Sequence, residues 1–254
     1  MTAPLIQILA NIRLKWLIFT LLVFALLIKL AWWQNSRADE KQQRLVRIVQ
    51  LSDQQAFTLD QVVTQLLSKG KRELINDLPI AIKATFDSDK VFLLDNQSYK
   101  NQLGYRVFQL AYQGKYAFLV NLGWVKGFIA REKLPEIPHL IGEQKFLGHV
   151  RIPEQGILLQ AQNFTQPQWP LRVQQIELDK FAMLLKKNLL PFVVYADKEA
   201  TIGFIKDWQP IVMPPEKHQA YAVQWLLLAI AWLVLMVSAL IKSSNNNNNK
   251  KRVN

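Results

Sequence analysis

Few residues of this chain could do chemistry, and their spacing excludes most reactions. There is no cysteine, and the three histidines are His139, His149 and His218. No G-x-S-x-G segment is present, so the strained turn that exposes a catalytic serine has no counterpart. H-E-x-x-H is absent, and the spacing of His139 and His149 matches no zinc motif. His139 follows Pro138 in a Pro-rich loop and His149 falls in an expected strand, so both read as ordinary surface or half-buried residues. Gly123, Gly127, Gly142, Gly148 and Gly156 read as turn and strand-end residues rather than a phosphate loop. The carboxylate pairs Asp87/Asp89 and Asp197/Glu199 lie in turn-like, solvated segments, where nothing makes either an acid–base couple. Lack of cysteine excludes thiolate copper sites and Cys-based zinc sites.

His218 stands apart because of its place. Pro214-Pro215-Glu216-Lys217 precedes it and a long apolar run follows. In a helix, His218, Tyr221 and Trp225 fall at i, i+3 and i+7, which puts them within about 60° of one another on one face. Imidazole is a common haem-iron ligand, and aromatic rings pack against a flat macrocycle. The same spacing equally suits an aromatic belt with a polar helix terminus, and both readings stay open at this point. A second cluster, Trp32, Trp33, Gln34 and Arg37, ends another apolar run. If the two runs are neighbours, the clusters can meet, and Arg37 or Lys217 can face carboxylates.

The elements that would position these residues begin with the apolar runs. Trp16–Trp33 carries one charge, Lys29, and spans roughly 27 Å as a helix, close to the hydrocarbon thickness of a bilayer. Trp225–Ile241 carries none. The first run is too long for a cleaved leader, and bulky Trp32 and Trp33 replace an A-x-A site. Lys29 lies about one turn from the end and can snorkel to the interface. The net charge of +12 follows the same division: residues 1–34 and 218–254 hold seven bases and no acid. More than half the excess charge therefore flanks apolar runs, which argues against a nucleic-acid partner. The Arg13 and Lys15 flank and the Lys242, Lys250, Lys251, Arg252 flank place both termini in the cytoplasm by the positive-inside bias. The expected layout is a cytoplasmic N-terminus (1–15), span one (16–33), a periplasmic domain (34–219), span two (220–241) and a disordered basic tail (242–254) in the bacterial inner membrane.

The middle is expected to be one α+β domain, mainly antiparallel and β-rich with a few helices, flanked by the two transmembrane helices. Residues 36–49 continue span one as a polar helix. Thr58-Leu59-Asp60-Gln61 reads as a capping box, followed by an apolar stripe of Leu59, Val62, Val63, Leu66 and Leu67 and closed by Gly70. Ile80, Ile82, Ala84 and Phe86 alternate as a strand. Val91–Leu94, Phe146–Ile152, Ile157–Gln160, Leu171–Ile176 and Phe192–Tyr195 are further strands, and Asp179–Lys187 is helical. Tyr105–Tyr112 and Lys115–Leu122 flank Gln113-Gly114 as a hairpin loop.

Three ordered elements resemble the Surfeit locus protein 1 family, assembly factors of haem–copper cytochrome c oxidase. Trp33-Gln34 with Arg37 and Lys41 is similar to the family's Gly-x-Trp-Gln-x-x-Arg element and its later Lys. Leu94-Asp95-Asn96, Gly104-Tyr105-Arg106-Val107 and Leu119–Val125 resemble its central strands, whose landmark is Asn-Arg-Gly-Trp. His218–Trp225 resembles its His-x-x-Tyr-x-x-x-Trp start of the second span. Two departures stand out: Ala31 or Trp32 occupies the place of the family's Gly, and Leu122 that of its Arg. The resemblance implies a non-enzymatic factor that handles haem a on its way to the catalytic subunit of the oxidase. The haem site would comprise His218, as an iron ligand or a haem-orienting group, with Tyr221, Trp225, Trp33, Gln34 and Arg37. Implied partners are that catalytic subunit, a haem a synthase as a second candidate, and membrane lipids. The alternative is a scaffold that holds an oxidase subunit without binding haem.

Overall fold

A computed structural model of the protein describes residues 14–253 apart from positions 71, 131, 132, 139, 141, 155, 157–161, 163, 165 and 166. The expectations for Arg13, His139 and Ile157–Gln160 lie outside the described residues. In chain order the elements are α1 (Leu14–Ser52), β1 (Phe57–Thr58), α2 (Leu59–Lys69), a 3-10 turn (Arg72–Ile75), β2 (Pro79–Tyr99), β3 (Gln102–Gln113), β4 (Tyr116–Lys126), β5 (Glu143–Arg151), β6 (Leu171–Val173), α3 (Leu178–Leu185), β7 (Leu189–Ala196) and α4 (Pro215–Val253). They divide into a helical unit, residues 1–46 with 210–254, and a sheet unit, residues 47–209.

In the helical unit both apolar runs are helix, and two helices are long and apolar enough to cross a membrane. They pair antiparallel. Trp232 Nε1 donates to the Thr20 carbonyl at 3.2 Å, and its ring meets Phe19 edge-on at 6.0 Å. Shielded positions recur at spacings of three and four: Thr20, Phe24, Leu27, Ala31, Gln34 and Ala38 on α1, and His218, Ala222, Trp225, Ala229, Trp232 and Met236 on α4. A mean period of 3.5 keeps one stripe of each helix facing its partner. Ala31, Ala38, Ala222 and Ala229 let the backbones approach, as small residues do between helices in lipid. Of Ala31 and Trp32, the two candidates for the place of the family's glycine, Ala31 is a seam residue that remains small and Trp32 is exposed. The helix α4 continues through Asn245–Asn249 to Val253, where a disordered tail is expected. No Gly or Pro interrupts that stretch, so nothing local ends the helix already propagating from α4.

The sheet unit is built on β2. Its first half alternates buried and exposed residues from Ile80 to Phe86, as the pattern predicts. Val91–Leu94 is no separate strand but the same one, joined across a bulge between Phe86 and Val91. Asp87 makes the bulge: its carboxylate accepts from the Asp89 and Lys90 amides at 3.1 and 3.2 Å. The bend lets β2 pair with β5 through its first half and with β3 and β6 beyond. The path β2-β3-β4-β7-β5 closes back on β2, so these five strands form a ring.

The sheet is mainly antiparallel, as expected, through β2–β3, β3–β4, β2–β5 and β5–β7, but it is mixed rather than purely antiparallel. The pairs β1–β2, β2–β6 and β4–β7 are parallel. Two-residue turns force antiparallel neighbours only at β2–β3 and β3–β4. The return to β7 comes after a long stretch carrying β5, β6 and α3, so no hairpin fixes its direction. The β3–β4 loop is Gly114-Lys115, one residue later than expected, because Gln113 pairs with Tyr116 and Gly114 takes the positive φ of +57°. The β2–β3 turn, Lys100-Asn101, has both residues at positive φ, the geometry that matches strand twist.

Inside the ring lie Ile80, Ile82, Phe86, Leu93, Val107, Phe118, Val120, Leu122 and Phe192, all buried. The capping box at Thr58 and the left-handed Gly70 bound α2 as expected. That helix closes the core with Leu59 and Val62; Leu67, about 80° further round, is exposed instead of joining the stripe. On the outer face, Phe92, Phe108, Leu119 and Val193 are covered by α3, where Phe92 and Phe181 stack at 4.3 Å.

Candidate functional site at the helix pair

His218 sits in the first turn of α4 and is 7% exposed. Its Nδ1 lies 2.7 Å from Gln34 Oε1 on α1. This hydrogen bond and the Trp232–Thr20 contact are each fourteen residues apart on both helices, close to four full turns, so one antiparallel register produces both. The amide oxygen can only accept, so Nδ1 carries the proton and donates. The lone pair then belongs to Nε2, for which no hydrogen bond is found among the described residues. That is the arrangement seen around metal-binding imidazoles, where a partner on one nitrogen fixes the tautomer and presents the other.

The other expected residues divide. Trp225 follows His218 along the seam and is half-buried, whereas Tyr221 flanks it at 47% exposure. On α1, Trp33 is 52% exposed and points off the seam by one helical step from Gln34. Arg37 turns to its own helix, where its guanidinium bonds Glu40 at 2.5 Å. The structure therefore brings His218 and Gln34 together, lines up Trp225 beside them, and leaves Tyr221, Trp33 and Arg37 around the rim. Among the described residues no three His, Asp or Glu converge, so a metal here would find one protein nitrogen and no cage.

The central landmark of the sheet unit is a fold determinant. Asn121 Oδ1 accepts from the Gly123 amide at 2.8 Å across a bulge in β4, and Leu122 is fully buried in the ring. An arginine at Leu122 would have to carry its charge into that core, so the departure from the family pattern suits this packing. Gly123 takes φ +112°, and a Cβ there would lie 2.7 Å from the Ile205 carbonyl. Trp124 completes the docking by exchanging backbone bonds with Ile205 and donating Nε1 to the Gln97 carbonyl at 2.9 Å.

One polar cluster is not legible from spacing. Arg151 bonds Asp77 at 2.6 Å, His149 Nδ1 meets Asp197 at 2.9 Å, and Arg106 pairs with Asp207 at 3.2 Å. The Trp208 ring lies 4.3 Å from His149 and under the Arg151 guanidinium. Burial pushes the Tyr195 phenol above its ordinary value. The partners come from the turn before β2, from β3, β5 and β7, and from the segment after β7, up to 101 residues apart in sequence. Each carboxylate faces a base, so the cluster clamps that segment to the sheet rather than forming an acid–base couple.

Two antiparallel helices long and apolar enough to cross a membrane, joined at a histidine–glutamine contact, and a separate closed-sheet unit fit the class of membrane proteins. A SURF1 family model matches residues 21–230, from span one through the His218–Trp225 element, and the chain belongs to the SURF1 family. That family is associated with cytochrome oxidase assembly and is a family of assembly factors, not a known enzyme family. No curated protein matches the chain.

Proposed function

We propose that this protein is a two-span inner-membrane biogenesis factor for haem–copper cytochrome c oxidase that holds haem a at the periplasmic face and aids its insertion into the catalytic subunit. The reading rests on the His218 Nδ1–Gln34 Oε1 contact of 2.7 Å, which leaves Nε2 with its lone pair. The residues fit the cargo: a neutral imidazole suits haem iron, and the Trp225, Tyr221 and Trp33 rings offer apolar faces around it. When bound, the iron would take one axial nitrogen from His218. A single protein ligand suits a carrier, because the haem must leave again. Arg37 and Lys217 would meet propionates, Arg37 by exchanging its exposed Glu40 partner. Both termini lie in the cytoplasm and residues 34–219 in the periplasm on this reading.

The exposed Trp32, at 73%, supports a second reading in which the rings at the end of span one contact an oxidase subunit and no haem is held. Crosslinking in membranes separates the two. Contact with the catalytic subunit that disappears when haem a synthesis is blocked supports haem delivery. Contact that persists at the same yield supports the scaffold and contradicts the haem reading.

A further inference from the structure

The loop after β4 carries an apolar tip that the described residues of the sheet unit leave exposed. Ile129 is fully exposed, and Phe128 and Leu103 are exposed beside it. The three belong together: Gly104 pairs with Lys126, and the Gly127 amide donates to the Leu103 carbonyl at 3.1 Å. They border an open cleft of about 410 Å³ whose acidic lining residue is Asp95. Around the tip stand three exposed lysines. Lys100 is in the adjoining β2–β3 turn, Lys126 opens the loop, and Lys133 lies 4.8 Å over the Phe128 ring.

We propose that residues 126–130 with Lys133, together with the β2–β3 turn, form a membrane-docking tip, which inserts Phe128 and Ile129 among the headgroups of an anionic lipid surface. An aromatic and an aliphatic side chain flanked by lysines match that interface twice. The rings and methyls leave water at the acyl boundary, while the ammonium groups meet phosphates. Leu67 on α2, Met183 on α3 and Leu147 on β5 are also exposed, but each is a single apolar residue on its element and carries no such meaning. The proposal rests on the two-span reading: both ends of the sheet unit continue into apolar helices, so a bilayer is always within tether reach and a weak dock suffices.

The chain has no cysteine, so a single one can carry an environment-sensitive fluorophore without background. The full-length protein is reconstituted in phosphatidylcholine–phosphatidylglycerol bilayers containing headgroup-proximal spin-labelled lipid. A label at Ile129→Cys is expected to shift to the blue and be quenched, and one at Phe128→Cys likewise; labels at Leu67→Cys and Met183→Cys stay solvated. Because Ile129 is fully exposed, its replacement leaves the fold intact. Omitting phosphatidylglycerol, or combining Lys126→Gln with Lys133→Gln, is expected to cut the quenching. A solvated label at both Phe128 and Ile129 overturns the docking tip. So does protection of Ile129 in whole cells but not in protein-free bilayers, which would assign the tip to a protein partner. A label at Leu226→Cys within α4 tests the two-span reading separately: quenching there with none at Ile129 leaves the spans standing and removes the tip.

Discussion

Replacing Gln34 with Leu removes the acceptor of the 2.7 Å bond to His218 while keeping the side chain's bulk in the seam. Two effects follow. The bond itself is worth about 0.5–1.5 kcal/mol net, which the helix pair can lose without unfolding. Loss of a partner behind a metal-binding imidazole costs more at the metal, about 10–100-fold in affinity, because the ring can then adopt the wrong tautomer and orientation. Haem a titrated into the purified full-length protein and followed at the Soret band should therefore give a Kd raised by about 10–100-fold in Gln34→Leu. The band position should stay at the wild-type wavelength, since His218 still ligates. Gln34→Glu supplies an acceptor with no competing N–H and should bind haem at least as tightly as wild type, because a charge-assisted bond is roughly twice as strong as a neutral one. Both variants are compared at matched helical circular dichroism. A Gln34→Leu affinity equal to wild type refutes the tautomer reasoning, as does a Gln34→Glu protein as weak as Gln34→Leu.

Gly123→Ala forces an L-residue to φ +112° and presses its Cβ against the Ile205 carbonyl at 2.7 Å; the backbone alone costs about 1–3 kcal/mol, read as a lowered thermal midpoint of the sheet unit. Arg151→Met removes the cation paired with the Asp77 carboxylate, whose side chain is 4% exposed, and should cost about 3 kcal/mol in denaturant titration. Adding Asp77→Asn, which removes the charge but tolerates the positive φ of that position, should recover most of the loss; no recovery would deny that the uncompensated charge is the cause. At Glu177, burial pushes the carboxyl up, but hydrogen bonds from Lys180, Gln162 and Gln175 outweigh it and hold the group below its ordinary value. A depressed native pKa adds stability above the unfolded pKa and loses it as pH falls through the native one. Glu177→Gln should therefore lower stability at neutral pH, converge on wild type at acid pH and so flatten the acid limb of the stability–pH curve, and an unchanged acid limb would contradict the assignment.

Local signals were legible wherever one segment decides its own structure. Thr58 and Gly70 bound α2, and Ile80–Phe86 alternates as written, because caps and pleats depend on residues within a few positions. The hairpin at Gly114 was legible to within one residue. What escaped was set by partners distant in the chain. The parallel pairing of β4 with β7 and the closure of β5 on β2 depend on connections that carry no turn signal. The bulge after Phe86 merged two expected strands because Asp87 satisfies the extra amides, a role an acidic residue in a turn-like segment does not announce. At the site, the place of His218 before the second apolar run singled it out as a candidate although its spacing suited an aromatic belt as well, and the end of the other run singled out the cluster that holds Gln34. Their bond depends on the register of two helices separated by the whole sheet unit, which only the seam of small residues hints at. The same separation hid the Arg151–Asp77, His149–Asp197 and Arg106–Asp207 pairs, none of which is local.

The most direct measurement is the optical spectrum of the purified protein supplied with haem a, wild type beside His218→Ala. A ligated-haem Soret band with near-stoichiometric haem in wild type, and loss of both in His218→Ala, is the outcome expected if Nε2 of His218 holds the iron. An unchanged band and unchanged haem content in His218→Ala would contradict it and leave the His218–Gln34 bond as helix packing alone.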